Sequence, residues 1–172
     1  LSLALAFVIP MICFYTNVAR ISKGHENYKN IYSLCVDYVQ ISSPGFGDFL
    51  KERVPEIDKV TSPILNNVWY DIENTNRKIH HVDKDFFYFF PAKFSKGGID
   101  FLDTPNNIAV SKEFADYLAK SGPVIGREID HNSNRYIVNA VFDEYGSNVL
   151  SGCDILMNNE AVRKSGHNDF IH

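Results

Sequence analysis

The first nineteen residues, Leu1 to Ala19, carry no charged side chain, and their core LALAFVIPMICFY is apolar enough to lie in lipid. A helix of that length rises about 28 Å at 1.5 Å per residue, close to the roughly 30 Å of bilayer hydrocarbon. The remainder, from Arg20 onward, reads as a soluble domain held next to a membrane. Three readings compete with a membrane span. A cleaved secretory signal would need a basic leader and a small-x-small site, for which only Asn17-Val18-Ala19 offers itself. Lipoprotein processing is disfavoured by Ile12 ahead of Cys13, where a small residue is expected. A buried core helix would need a larger protein around its uniformly apolar faces. A membrane span fits best, because Pro10 is tolerated more readily in a kinked span than inside a soluble helix. The start at Leu1, without an initiator Met, reads as an excerpt of a longer protein. Arg20, Lys23 and Lys29 against Glu26 mildly oppose export of the C-terminal side, and charge alone does not orient the span.

Beyond that stretch about 150 of the 172 residues remain, enough for one domain with a substantial core or two small lobes. Aromatic residues are plentiful, which argues against disorder. A net charge of −4 without a Lys/Arg cluster argues against nucleic-acid binding, which depends on neutralising phosphates. Cys13, Cys35 and Cys153 form an odd set without CxxC or zinc spacing. A Cys35–Cys153 bridge would need an oxidising compartment, and cysteines this sparse usually sit reduced as small apolar residues.

Ile31 to Ile41 is rich in β-branched and aromatic residues and reads as a strand. Ser43 and Pro44 then suit a helix start, with Phe46, Phe49, Leu50 and Val54 on one face and Pro55 as its end. VTSPIL, NVWYDI and KIHHV follow as three short β-like stretches of a meander, separated by polar turns. Asp83 is placed to cap a helix over Phe86, Phe87, Tyr88, Phe89 and Phe90, with Pro91 as a stop. Five successive aromatics cannot all face one core from a single helical turn, so some must pack against a second lobe, a partner or the membrane surface. They are the candidate interface and packing residues. Asn107 to Val110 reads as a strand, Ser111 as an N-cap, and Lys112 to Lys120 as a helix burying Phe114, Ala115 and Leu118 before Ser121-Gly122-Pro123. A hairpin follows, Gly126 to Asp130 and Arg135 to Phe142, turned by His131 to Asn134. Alternation puts Tyr136, Val138, Ala140 and Phe142 on one face of its second arm, while apolar Ile137 and Val141 on the other place that arm mid-sheet. Cys153 to Met157 is a last β-like piece ahead of a polar tail.

No GxSxG, Walker A, HExxH or GxGxxG occurs. Adjacent His80 and His81 in a strand point to opposite faces and chelate one metal poorly, which leaves one half-buried and one exposed histidine. Asp83 with Asp85, and Asp143 with Glu144, read as turn caps and solvated acids. His131 beside Asp130 reads as a solvated loop residue. No catalytic, cofactor-binding or metal-ligating residue is assigned.

The order of pieces is similar to a known family. The opening LSLALAF, Asn30-Ile31-Tyr32, Val54-Pro55-Glu56-Ile57-Asp58-Lys59-Val60-Thr61 and Val82-Asp83-Lys84-Asp85-Phe86-Phe87 resemble the MacB-like periplasmic core domain of FtsX-type ABC transporter permeases. The resemblance continues through Ile108 to Ala115, Pro123 to Ile129 and Tyr136 to Asp143. Each motif is only a strand or cap signature, and their succession carries the specificity. The family often has Phe-Gly where Lys120-Ser121-Gly122 stands, and Gly at Ala140. The resemblance implies an α+β, two-lobed periplasmic domain with mixed or antiparallel sheets and short helices, preceded by an N-terminal transmembrane helix. On that footing residues 1–21 are the first transmembrane helix, 22–30 a linker, and 31–172 a core domain that stops short of its C-terminal end.

The same resemblance implies a non-catalytic part of an inner-membrane permease, without a cofactor, that relays motion or handles cargo while a separate ABC ATPase subunit or domain hydrolyses ATP. Implied partners are that ATPase, the remaining permease helices, a second permease copy or pseudo-copy, a periplasmic adaptor and membrane lipid. The main rival is a membrane-anchored, extracytoplasmic ligand sensor, which would carry one further span and a cytoplasmic signalling domain. A signal-anchored envelope enzyme would need a pocket of convergent titratable groups.

Overall fold

The computed structural model describes residues 31–32, 35–36, 39–40, 51–143 and 149–160. By compactness the chain divides into two units, Leu1–Gln40 and Ile41–His172. In the first unit β1 (Cys35–Val36) and β2 (Val39–Gln40) pair antiparallel with each other, Val36 opposite Val39. The stretch from Ile31 to Ile41 is therefore not the single strand expected from its composition.

The second unit is built on one seven-stranded mixed sheet. β3 (Ile64–Ile72) and β4 (Thr75–Val82) form an antiparallel hairpin. Its two-residue turn, Glu73-Asn74, holds positive φ angles of 53° and 59°, the geometry that matches strand twist. VTSPIL and NVWYDI thus do not form separate strands: Ile64 to Ile72 runs as one, with a register irregularity between Leu65 and Trp69 absorbing the polar Asn66-Asn67. The helix expected from Ser43 lies mostly outside the described residues, although residues 51–53 are helical just before Pro55. β4 is followed by α1 (Phe86–Phe89), β5 (Lys93–Lys96), a 3-10 segment at Ile99–Asp103, β6 (Asn107–Ser111), α2 (Lys112–Leu118) and a 3-10 turn at Ala119–Ser121. β7 (Glu128–His131) and β8 (Asn134–Asp143) form the expected hairpin, turned by Asn132 and Ser133 at φ 48° and 62°. β9 (Ile155–Asn158) is the last strand among the described residues.

The strand order is β3-β4-β9-β6-β8, and the far edge of β8 is shared by β7 at its start and β5 at its end. β4/β9 and β6/β8 are parallel, and the other pairs antiparallel. β9, the last strand among the described residues, therefore inserts between β4 and β6, which lie well before it in sequence. Its neighbours bury all four of its residues.

Apolar side chains cover both faces of the central strands. On the first face Ile79, Ile108, Val110, Val138, Ile155 and Met157 pack under Phe114, Ala115 and Leu118 of α2. On the second, Val82, Ala109, Ala140, Phe142 and Leu156 pack under Phe86, Phe101, Leu102, Leu150 and Cys153. The described part of the second unit is one sheet with a core on each face, and two separate lobes, as expected from the sequence, are not seen among its described residues. Burying each large side chain is worth roughly 1.5–3 kcal/mol, so β9, β6 and β8, apolar on both faces, hold the centre of stability.

One expectation about β8 is corrected. Ile108 pairs with Val138 but the next residue, Ala109, pairs with Ala140, so Asn139 is an extra residue in the ladder. This bulge reverses the alternation. Tyr136 and Val138 face the first core, whereas Ala140 and Phe142 face the second, and Val141 joins the first. Gly97, just past β5, fits against the bulge. A Cβ there would lie 2.5 Å from the Asn139 carbonyl oxygen, and its φ of +64° suits glycine.

The sheet curls around its first face. Tyr70 on β3 and His131 on β7 belong to opposite ends of the strand order, yet their rings meet edge-on at 5.1 Å. Among the described residues no helix is long and apolar enough to cross a membrane, and residues 1–21, read as a span from sequence, lie outside them, as does the linker at 22–30.

Candidate functional site

The aromatic run starts where β4 ends, and Asp83 fixes the exit. Its Oδ1 accepts the Phe86 backbone N–H at 2.8 Å, and its Oδ2 accepts the Thr61 hydroxyl at 3.0 Å and the Ser62 N–H at 3.1 Å. One carboxylate thereby caps α1 and ties the entry of β3 to the exit of β4, as its position before the aromatics suggests. The helical turn then sorts the five rings. Phe86 is fully buried, 5.3 Å from Phe87 and 5.0 Å from Phe90. Phe87 reaches Phe94 at 5.6 Å and Phe101 at 6.2 Å, so it seals the second core between β5 and the 3-10 segment. Tyr88 is exposed, with Phe89 half-buried against it at 5.4 Å. Phe86, Phe87 and Phe90 pack inward, and Tyr88 with Phe89 form the outward part.

Asp85 anchors the same turn through Lys51 at 2.8 Å and Lys59 at 3.3 Å, while the Lys59 ammonium also sits 5.5 Å over the Tyr88 ring. Partial burial works against the charge on Asp85, but the two ammoniums outweigh it and hold the carboxyl below the usual range. The Asp83 and Asp85 pair is thus a cap and an ion-pair anchor.

A second polar group, formed by residues far apart in sequence, locks the first face. Arg77 donates to Asp154 at 3.0 Å, both side chains being largely buried, and its guanidinium lies 4.4 Å over Phe114 and 5.2 Å over Tyr117. Asp154 also accepts the Lys78 N–H at 2.9 Å, donates its own N–H to the Lys78 carbonyl at 3.0 Å, and accepts the Ser111 N–H on its carbonyl at 2.8 Å. Ser111 in turn caps α2 through the Phe114 N–H at 3.1 Å. One aspartate therefore joins β4, β9 and the β6–α2 junction. At the hairpin tip Arg127 reaches Glu73 at 3.2 Å, the Leu118 carbonyl at 3.0 Å and the Ser121 hydroxyl at 2.9 Å, and the Tyr117 hydroxyl donates to the Glu73 carbonyl. The C-terminal end of α2 is thereby clamped to the β3–β4 turn.

Both histidines of β4 are more enclosed than expected. His80 is buried, with Nδ1 3.2 Å from the Ile79 carbonyl, which places the proton on Nδ1. His81 is half-buried on the first face with its Nδ1 unpartnered. Loss of water lowers its pKa to about 4, and His131 and His80 add to the effect. His131 is not a solvated loop residue either: it ends β7 against Tyr70, and burial lowers its pKa. The curl of the sheet encloses His81 and His131, which a strand-by-strand reading cannot register, while His80 is buried on the opposite face. Among the described residues no three His, Cys, Asp or Glu side chains converge on a common metal position. Arg77, Asp154, Glu73 and Arg127 escaped the sequence reading because their partners lie 77 and 54 residues away.

This arrangement is one of rigid packing and clamps. The whole length from residue 1 to 169 matches the model of the MacB-like periplasmic core domain, and the chain belongs to that family. It is a periplasmic domain of the MacB/FtsX-like ABC transporter permease family. Its fold is similar to a domain of a putative permease from Porphyromonas gingivalis, at 16% identity and a TM-score of 0.59, covering 78% of this chain and 60% of that one. It is also similar to the periplasmic region of MacB from Actinobacillus actinomycetemcomitans, at 12% identity and a TM-score of 0.56, covering 75% and 61%. The extracellular domain of the noncanonic ABC-type transporter YknZ from Gram-positive bacteria aligns at 17% identity and a TM-score of 0.52, covering 69% and 63%. The chain thus spans about three fifths of the length of these solved domains. No curated protein sequence matches it.

Proposed function

We propose that the chain is the non-catalytic extracytoplasmic part of an ABC permease subunit in a bacterial cytoplasmic membrane, relaying ATPase-driven motion during export of cargo such as a drug or lipoprotein. In this reading residues 1–21 are the first transmembrane helix, 22–30 a linker, and 31–172 the periplasmic core domain. ATP hydrolysis takes place in a separate subunit or domain. The remaining permease helices, a second copy or pseudo-copy and a periplasmic adaptor complete the machine. Of the aromatic run, Phe86, Phe87 and Phe90 serve packing, while Tyr88 and Phe89 offer an interface.

The observation that carries the reading is the sheet buried on both faces and cross-tied by Asp154. Such a body transmits a displacement applied at one end, because packed interiors resist compression. A tilt of the first helix would reach it through residues 22–30. Insertion of a flexible Gly/Ser segment between Ser22 and Tyr28 of the full permease tests this. Transport should fall while ATP turnover persists, and transport that stays coupled to turnover would refute the relay.

A further inference from the structure

The curl brings β3 and β7, from opposite edges of the sheet, side by side along a seam. β3 pairs only with β4 and β7 only with β8, so among the described residues no ladder of backbone hydrogen bonds crosses it. Side chains hold it instead: Tyr70 meets His131 edge-on at 5.1 Å, and Glu73 meets Arg127 at 3.2 Å. His81 on β4 faces the same interior, near enough for charge on His131 to act on it, and its Nδ1 is buried without a hydrogen-bond partner. We propose that this seam opens in acid: protonation of His81 and His131 parts β7 from β3 and leaves β4, β9, β6 and β8 paired.

A neutral imidazole can leave one nitrogen bare, but an imidazolium carries an N–H on both. Protonating His81 therefore puts a donor on the buried Nδ1 with nothing to receive it, and a second cation at His131 adds repulsion. The acids that reach this face are already engaged, Glu73 with Arg127, and Asp154 with Arg77 and the Lys78 N–H. The other ionisable groups on it, Arg77 of β4, Tyr70 of β3, Tyr117 of α2 and Tyr136 of β8, bring no negative charge near neutral pH, and β6 and β9 present only Ile108, Val110, Ile155 and Met157. Parting the seam returns water to both rings. It gives up the ring contact, a partly exposed ion pair of the kind that holds weakly, and part of the burial of Ile129. The central strands keep their ladders. Loss of water lowers the pKa of both rings in the closed form, that of His81 to about 4, so the open form binds more protons. The closed seam is favoured in full above pH 6.5 and is progressively disfavoured as the pH falls toward 4.

Asp71 on β3 and Asp130 on β7 are exposed beside the two contact residues. With p-acetylphenylalanine in place of each, bearing a nitroxide, double electron–electron resonance on the full, detergent-solubilised chain reads the width of the seam. One short distance is expected at pH 7.5. A longer one should grow in reversibly on acidification, its ratio to the short one rising about 30-fold by pH 5, the factor that follows when a pKa of about 4 relaxes to 6.5. His81→Gln should remove most of that rise. His131→Phe, which keeps a ring against Tyr70 but takes no proton, should remove the rest when the two are combined. His80→Gln, on the opposite face, should leave the response as it is. An unchanged distance down to pH 4.5 with all three histidines in place would overturn the proposal, as would a rise that survives the double replacement. Loss of far-ultraviolet circular dichroism over the same range would also overturn it, since that assigns the transition to global unfolding. Histidine titration by NMR on the unlabelled chain gives a reading that needs no variant to fold. Both rings should titrate below 6.5, and a His131 that titrates above it, held as a cation over the Tyr70 ring, would contradict an acid-opened seam.

Discussion

Gly97 shows how one position can hold a change of register in place. A side chain there meets the Asn139 carbonyl at 2.5 Å and must also adopt φ of +64°. Gly97→Ala should cost roughly 1–3 kcal/mol in urea unfolding, and Gly98→Ala, whose nearest neighbour would be an Asp100 side-chain oxygen at 3.9 Å, should cost less. Asp154 makes a different kind of demand. Its removal leaves the largely buried Arg77 guanidinium without its carboxylate, and loss of one partner of a buried pair costs about 3–5 kcal/mol. Asp154→Ala should therefore destabilise by that order in the same assay. Asp154→Leu combined with Arg77→Met should recover only part of it, because the Lys78 N–H still loses its acceptor. His81 sets the acid limit. Its pKa is near 4 in the fold against 6.5 when unfolded, so the unfolded state binds more protons between these values. Its contribution is complete above pH 6.5 and is lost as the pH falls toward 4, a change on the order of 2–3 kcal/mol. Replacement by Gln should flatten the pH dependence of unfolding in that window, and an unchanged slope would remove His81 from the account.

Elements differ in how far sequence betrays them. The β6–α2 unit was legible because its determinants are local: Ser111 caps, and Phe114, Ala115 and Leu118 recur at helical spacing. The same holds for Asp83 ahead of the aromatic turn and for the two hairpin turns, where Asn tolerates positive φ. β8 was legible as a mid-sheet strand but not in its facing. An asparagine between apolar residues fits smooth alternation as well as it fits a bulge, and only pairing with β6 decides between them. β1 and β2 were read as one strand because composition there favours extended backbone whichever way it pairs. The Arg77–Asp154 and Glu73–Arg127 clamps had no local signal, since both arise from β9 and the α2 end being brought beside the β3–β4 hairpin. The aromatic run announced itself, but which rings turn inward depends on β5 and the 3-10 segment.

At the level of the whole molecule, family membership and the curled mixed sheet define a MacB-like periplasmic core domain, for which a mechanical role is the proposal. The candidate outward feature, Tyr88 with Phe89, lies on a frame whose central strands are apolar on both faces. If that frame acts as a rigid relay, its internal hydrogen bonds must survive every stage of the transport cycle. Hydrogen exchange on the full permease, compared between nucleotide-free and ATP-bound states of its ATPase, reads this directly. The amides of Ile155–Asn158, Asn107–Ser111 and residues 137–142 should keep the same slow exchange in both states, with any difference falling in the connection at residues 22–30. Loss of protection in those central strands in either state would contradict a rigid relay and show that the sheet itself opens.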